Sequence, residues 1–127
     1  MATKSLTAAG FKEHIFDYEG GEDWNFKGNA PAIIDFYADW CGPCKAVAPV
    51  LEELSNEYEG RLNIYKIDTE KEAELAALFG IQSIPTFLFI PLNGDPMLQR
   101  GAFPKDVFHE IIQERLLTEN REDKDPG

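Results

Sequence analysis

The clearest helical period lies between Gly42 and Tyr58. There Cys44, Val47, Leu51, Leu54 and Tyr58 recur every third or fourth position, one apolar stripe down a helix. Pro49 falls inside this helix and is expected to kink it, and Gly60 ends it. Just upstream the period vanishes. Ala32 to Ala38, "AIIDFYA", is a short apolar run rich in β-branched and aromatic residues, as expected of a strand buried on both faces. "LNIYKI" at Leu62–Ile67 and "TFLFI" at Thr86–Ile90 predict two further strands. Asn93-Gly94 is a hairpin signal, with Met97–Arg100 as the returning strand.

Three more helices are predicted. One runs from Ala8 to Phe16, with Thr7 as cap and Leu6 stapled onto Phe11. A second spans Glu70–Phe79 with Gly80 after it, and a third spans Lys105–Leu117 with Val107, Phe108, Ile111, Ile112 and Leu116 inward. Asp17–Pro31 is acidic, Gly-rich and aperiodic, so it reads as a loop. Within it, Trp24 and Phe26 alternate with polar residues and predict an edge strand or a flap on the core, with partner binding as the alternative. The segment 118–127 is polar and predicts a frayed tail.

Alternating strands and helices imply parallel pairing with right-handed crossovers, and the late hairpin adds antiparallel strands. The expected fold is α/β: a mixed central sheet flanked by helices on both faces. The length of 127 residues suits a single domain, with its core at about 6–117. A hydrophobic content of 43% is enough to build that core.

The net charge of -11 argues against nucleic-acid and anionic-membrane partners, because phosphates need clustered cations. Its plain reading is solubility, with steering toward a basic partner as the alternative. No run approaches the ~20 apolar residues of a membrane span, and no signal-peptide core follows the N-terminus. The expected location is the cytoplasm.

The chain has two cysteines, and they fall in "DWCGPCK", Asp39–Lys45. Cys41 lies where the "AIIDFYA" strand gives way to the long helix, the edge of an open α/β sheet at which sites form. Cys44, three residues on, is its helical neighbour, close enough to join or part with little backbone change. Unpaired N–H groups and the helix dipole favour a thiolate at Cys41. Cys41, expected at the exposed edge, is therefore the candidate nucleophile, and Cys44, on the buried stripe, the resolving thiol. Pro43 suits the first turn, and Gly42 leaves the approach open.

Zinc needs about four ligands, whereas one cysteine pair stands here and His14 and His109 lack ligand spacing. A staple over so short a loop adds little stability. Redox work is the reading the pair favours.

Asp35 is a carboxylate inside a buried strand, six residues before Cys41. Desolvation should raise its pKa and make it a general acid/base for Cys44; a pleat-edge residue facing water is the alternative. Lys66, central in the next strand, is placed to approach it or simply to face solvent. Pro85, in "SIPTFLF", marks a strand entrance, and the Ile84–Pro85 bond is open to either isomer.

Taken together, "DFYADWCGPCK", Pro49, "IPT" at Ile84–Thr86 and "RGA" at Arg100–Ala102 resemble the thioredoxin family over about Ile33 to Leu116. The resemblance implies a thioredoxin-like fold and a protein-disulfide reductase. It implies that Cys41 attacks, Cys44 resolves, and Asp35, with Lys66 beside it, exchanges a proton with Cys44. It implies a cis Pro85 facing the disulfide and an Ile84 backbone that meets extended substrate. Trp40, Gly42, Gly101 and Ala102 would line a shallow apolar contact surface, and Gly42-Pro43 is the dipeptide of reducing members, which sets the redox potential.

No bound cofactor is implied. The implied partners are protein disulfides and a flavoprotein thioredoxin reductase using NADPH, and the implied state is a monomer. Tyr37 stands where many members carry a second tryptophan, and the 17–31 segment and acidic tail are additions that bear on partner choice. The readings in competition are an oxidant or isomerase on the same fold, a binding subunit without redox turnover, and a zinc module.

Overall fold

A computed structural model describes residues 3–20 and 23–117. Five strands form one sheet: β1 (Lys4–Ser5), β2 (Ala32–Tyr37), β3 (Asn63–Asp68), β4 (Thr86–Ile90) and β5 (Met97–Arg100). Their order is β1-β3-β2-β4-β5. β3 pairs parallel with both β1 and β2, while β4 is antiparallel to β2 and to β5. Four helices complete the fold: α1 (Ala8–His14), α2 (Gly42–Glu57), α3 (Ala73–Leu78) and α4 (Lys105–Ile111).

The mixed sheet follows the predicted strands, and β2 and β4 are buried along nearly their whole length and apolar apart from Asp35 and Thr86, because both faces are covered. Side chains alternate along each strand, so the sheet divides two cores. On one face Ile33, Ile64, Phe87 and Phe89 pack with Val47, Leu51 and Leu54 of α2 and Phe108 of α4. On the other, Ile34, Phe36 and Leu88 pack with Phe11 of α1 and Leu75 of α3. The stripe read from the α2 sequence is the side that is buried.

The structure departs from expectation in several places. β1 was not predicted: its two exposed residues carry no periodic signal, and only pairing with Tyr65 and Lys66 defines it. α1 stops at His14. Thr7 caps it by accepting from Gly10 N–H at 3.1 Å, but Phe16 leaves the helix to pack at a tilt against Trp24, centroids 4.9 Å apart. α3 starts at Ala73, not Glu70, because Asp68 Oδ1 accepts from Glu70 and Lys71 N–H at 2.9 and 3.3 Å and holds them in a turn. Beyond Ile111 the last helix widens into a π-helical turn, Ile112–Leu116, in which Leu117 N–H reaches Ile112 O at 2.9 Å.

Trp24 and Phe26 form no ladder. They pack as a flap against the α1–α3 core, after a 3-10 turn at Tyr18–Gly20. The tail at 118–127 lies outside the described residues.

Candidate active site

β2 rises toward the site and ends at Tyr37. The chain then turns, with Cys41 N–H bonded to Ala38 O at 3.2 Å, and enters α2. Cys41 is the N-cap of α2. Its Sγ accepts from Cys44 N–H at 3.2 Å, the position a capping oxygen takes in other helices. Pro43 lies in the first turn, where its missing N–H costs no helical bond. A Cβ on Gly42 would meet nothing within 4 Å, so the space before the pair is open. Cys41 and Cys44 are joined as a disulfide, with Cα atoms 5.2 Å apart.

The expected exposure of Cys41 is corrected. Cys41 is 3% exposed and Cys44 4%, so exposure does not distinguish them. Tyr37 and Ile84 pack against the pair together with Ala38, and Ile84 O lies 3.8 Å from Cys41 Sγ. What distinguishes the two sulfurs is the capping position, which Cys41 alone holds.

Ile84–Pro85 is a cis peptide bond, so the open question about its isomer is answered. Pro85 is buried, and its carbonyl accepts from Gly101 N–H at 3.0 Å. That bond ties the Gly101–Ala102 loop to the strand entrance. Gly101 has φ +117°, which a side chain would strain.

Trp40 stands 68% exposed at the rim, and its indole N–H donates to Glu70 Oε2. Glu70 was not singled out from sequence; only the fold brings the start of the α3 approach beside the turn after β2.

Asp35 is fully buried, which settles it against the solvent-facing alternative. It shares its face of β2 with Ile33 of the α2 core and with Tyr37, which packs on the cysteines. Among the described residues neither carboxylate oxygen has a hydrogen-bond partner. Burial pushes its pKa from 3.8 up to about 7, against a smaller downward pull from the Lys66 charge. Lys66 lies opposite Asp35 in the β2–β3 register, and its Nζ sits 4.6 Å from the Tyr37 ring centroid. His109 is brought to α2's far end instead, its ring nitrogens engaged by Tyr58 and Glu57. Among the described residues no three His, Cys, Asp or Glu side chains are grouped as a metal site.

The thioredoxin family model matches residues 3–114. A thioredoxin of Borreliella burgdorferi is 47% identical over 110 residues, 87% of this chain and 94% of that protein. The chain belongs to the thioredoxin family. A second thioredoxin, from Synechocystis sp., is 35% identical over 115 residues, 91% of this chain and 98% of its own length. Among solved structures, chloroplastic thioredoxin z superposes with a TM-score of 0.75 at 27% identity, covering 90% of this chain and 94% of that one. Membership joins the geometry of the pair to its chemistry. The protein is a thiol–disulfide oxidoreductase, and Cys41–Cys44 is the dithiol–disulfide couple with which it reduces protein disulfides.

Proposed function

We propose a division of labour within the couple, carried by the capping position of Cys41. In the reduced protein the Cys41 thiolate replaces the disulfide sulfur at the head of α2, held by Cys44 N–H and the helix dipole. It attacks one sulfur of a substrate disulfide, forming the mixed disulfide and releasing the other sulfur as a thiolate that takes a proton from water. Cys44 then gives its proton to the Asp35 carboxylate and attacks Cys41 Sγ. The substrate's remaining sulfur leaves as a thiolate. Two electrons have moved to the substrate, and Cys41–Cys44 is oxidised.

Lys66 tempers the pKa of Asp35, consistent with its downward pull on that group. The Ile84 backbone beside Pro85 holds an extended substrate segment. Trp40, Gly42, Gly101 and Ala102 form the contact surface around it, and Gly42-Pro43 sets the potential. The chain acts as a monomer without a bound cofactor. An NADPH-dependent flavoprotein thioredoxin reductase returns the electrons, in the cytoplasm, where thiols are kept reduced.

The test is an equilibrium titration of the couple against thiol–disulfide buffers, with single-cysteine variants alongside. The expected potential lies well below the glutathione couple. Cys44→Ser should accumulate a mixed disulfide through Cys41, whereas Cys41→Ser should accumulate none. A potential well above glutathione would point to an oxidant or isomerase, and trapping through Cys44 would reverse the assigned roles.

A further inference from the structure

Two hollows open side by side, the first of them at the rim of the cysteine pair. One, of about 170 Å³, runs between Trp40, Thr69 and Ile84 and includes Ile81 and Gln82. The other, of about 260 Å³, is lined by Gly80, Ile81, Gln82, Thr86, Leu98 and Arg100. Ile81 and Gln82 line both, so the hollows adjoin and together make a trough whose lining runs from the rim of the active site to the edge strand β5.

The far end of the trough has a definite chemistry. Leu98 is 41% exposed there. Arg100, also exposed, makes no ion pair among the described residues, although carboxylates are in excess in a chain of net charge -11. Arg100 lies opposite Thr86 in the β4–β5 register, two residues past Ile84. At strand spacing this is roughly 7 Å along the sheet. Leu98 pairs with Leu88, so Leu98 and Arg100 present the same face.

We propose that this trough continues the substrate groove and that Arg100 selects disulfide substrates carrying an aspartate or glutamate two or three residues from the attacked cysteine. The proposal rests on the reading above, in which the Ile84 backbone meets an extended substrate. Such a segment leaves Ile84 along the trough, lays an apolar residue against Ile81 and Leu98, and brings its carboxylate to the free guanidinium. The long-range field of the protein favours cationic partners, so a preference for an acidic peptide has to come from a local contact.

The experiment uses pairs of synthetic disulfide peptides that differ only by Glu or Lys, placed two or three positions to either side of the attacked cysteine. The reduced full-length protein is mixed with each, and the ratio of the two second-order rates is taken within one protein. At about 0.1 M salt the wild type should prefer the Glu peptide at one of these positions by about threefold to fivefold, the scale of an exposed charge pair. Arg100→Glu should invert that ratio. Leu98→Ser should slow both peptides and leave the ratio standing.

A wild-type preference for Lys at every position, as net charge alone dictates, would overturn the proposal. So would a ratio unchanged in Arg100→Glu, or a concentration-dependent dimer abolished by Leu98→Ser, which would assign the trough to a second copy. Failure to reduce a small aromatic disulfide would instead count against the redox reading itself.

Discussion

Asp35 and Lys66 are register partners in adjacent parallel strands, yet no ion pair joins them. The ammonium lies over the Tyr37 ring, and the carboxylate is buried with neither oxygen hydrogen-bonded among the described residues. Charge on Asp35 is therefore costly, and Lys66 offsets only part of the cost. Such a group is destabilising when ionised and suited to holding a proton near neutral pH.

Asp35→Ala is expected to stabilise the protein at pH 8. A carboxyl raised from 3.8 to about 7 corresponds to about 4 kcal/mol. The sign follows from proton binding. Between these values the folded state binds more protons than the unfolded chain, so wild-type stability is fully present below 3.8, falls as pH rises to about 7, and then levels off. The variant lacks this fall. Urea unfolding at pH 4 and pH 8 checks it: the gain should be several kcal/mol at pH 8, less the small cavity left by the side chain, and should vanish at pH 4. An equal effect at both pH values would show that Asp35 ionises freely.

Lys66→Met should move the Asp35 titration upward from about 7, because it removes the ammonium charge that pulls it down. The Asp35 carboxyl carbon, followed by NMR across pH 5 to 10, reports this directly. If Asp35 is the proton acceptor for Cys44, resolution of a preformed mixed disulfide should shift to higher pH by the same interval.

What the sequence shows and what it hides divide along physical lines. β2 and β4 are legible because a strand covered on both faces must be apolar at every position, and "AIIDFY" and "TFLFI" nearly are. Asp35 stands out in the first for the same reason. The cysteine pair is legible because its chemistry is local, set by two thiols, a proline and a helix start.

The near-equal burial of Cys41 and Cys44 is not legible, since Tyr37 and Ile84 cover them across the fold. Nor is the trough, whose walls come from four separate stretches of chain, around Trp40, Thr69, Ile81 and Leu98. β1 escapes because two exposed residues contain no pattern at all. The flap was half legible: alternation at Trp24 and Phe26 marked which side chains turn inward but not whether a strand partner existed.

The flap gives its own test. A Cβ on Gly28 would fall 2.4 Å from Phe26 Cζ and within 3.0 Å of the flanking ring carbons, so the Phe26 ring must leave its place on the α1–α3 core. Gly28→Ala should cost about 1–3 kcal/mol, the usual scale of overpacking. Gly42→Ala, whose Cβ meets nothing within 4 Å, should change stability by about 0.5 kcal/mol or less. Equal effects of the two in urea titrations would show that the flap does not pack.

Glu70 holds the exposed Trp40 by a charge-assisted hydrogen bond to its indole N–H. At 68% exposure the ring contributes little to the core, so the bond's effect is to keep a mobile rim side chain in one orientation. Glu70→Ala frees the ring. Stability should change by about 1 kcal/mol or less, because both partners reach water once parted. Reduction of a protein disulfide should slow several-fold, because the docked substrate must then order the ring itself, at about 0.5–1.5 kcal/mol. A small aromatic disulfide, which needs no docking surface, should react at nearly the wild-type rate. Trp40 is one of two tryptophans, and the other, Trp24, packs on Phe16, so a red shift and faster anisotropy decay in the variant's emission report on the freed ring. Loss of rate toward both disulfides alike would place the effect of Glu70 on the cysteine pair and not on the contact surface.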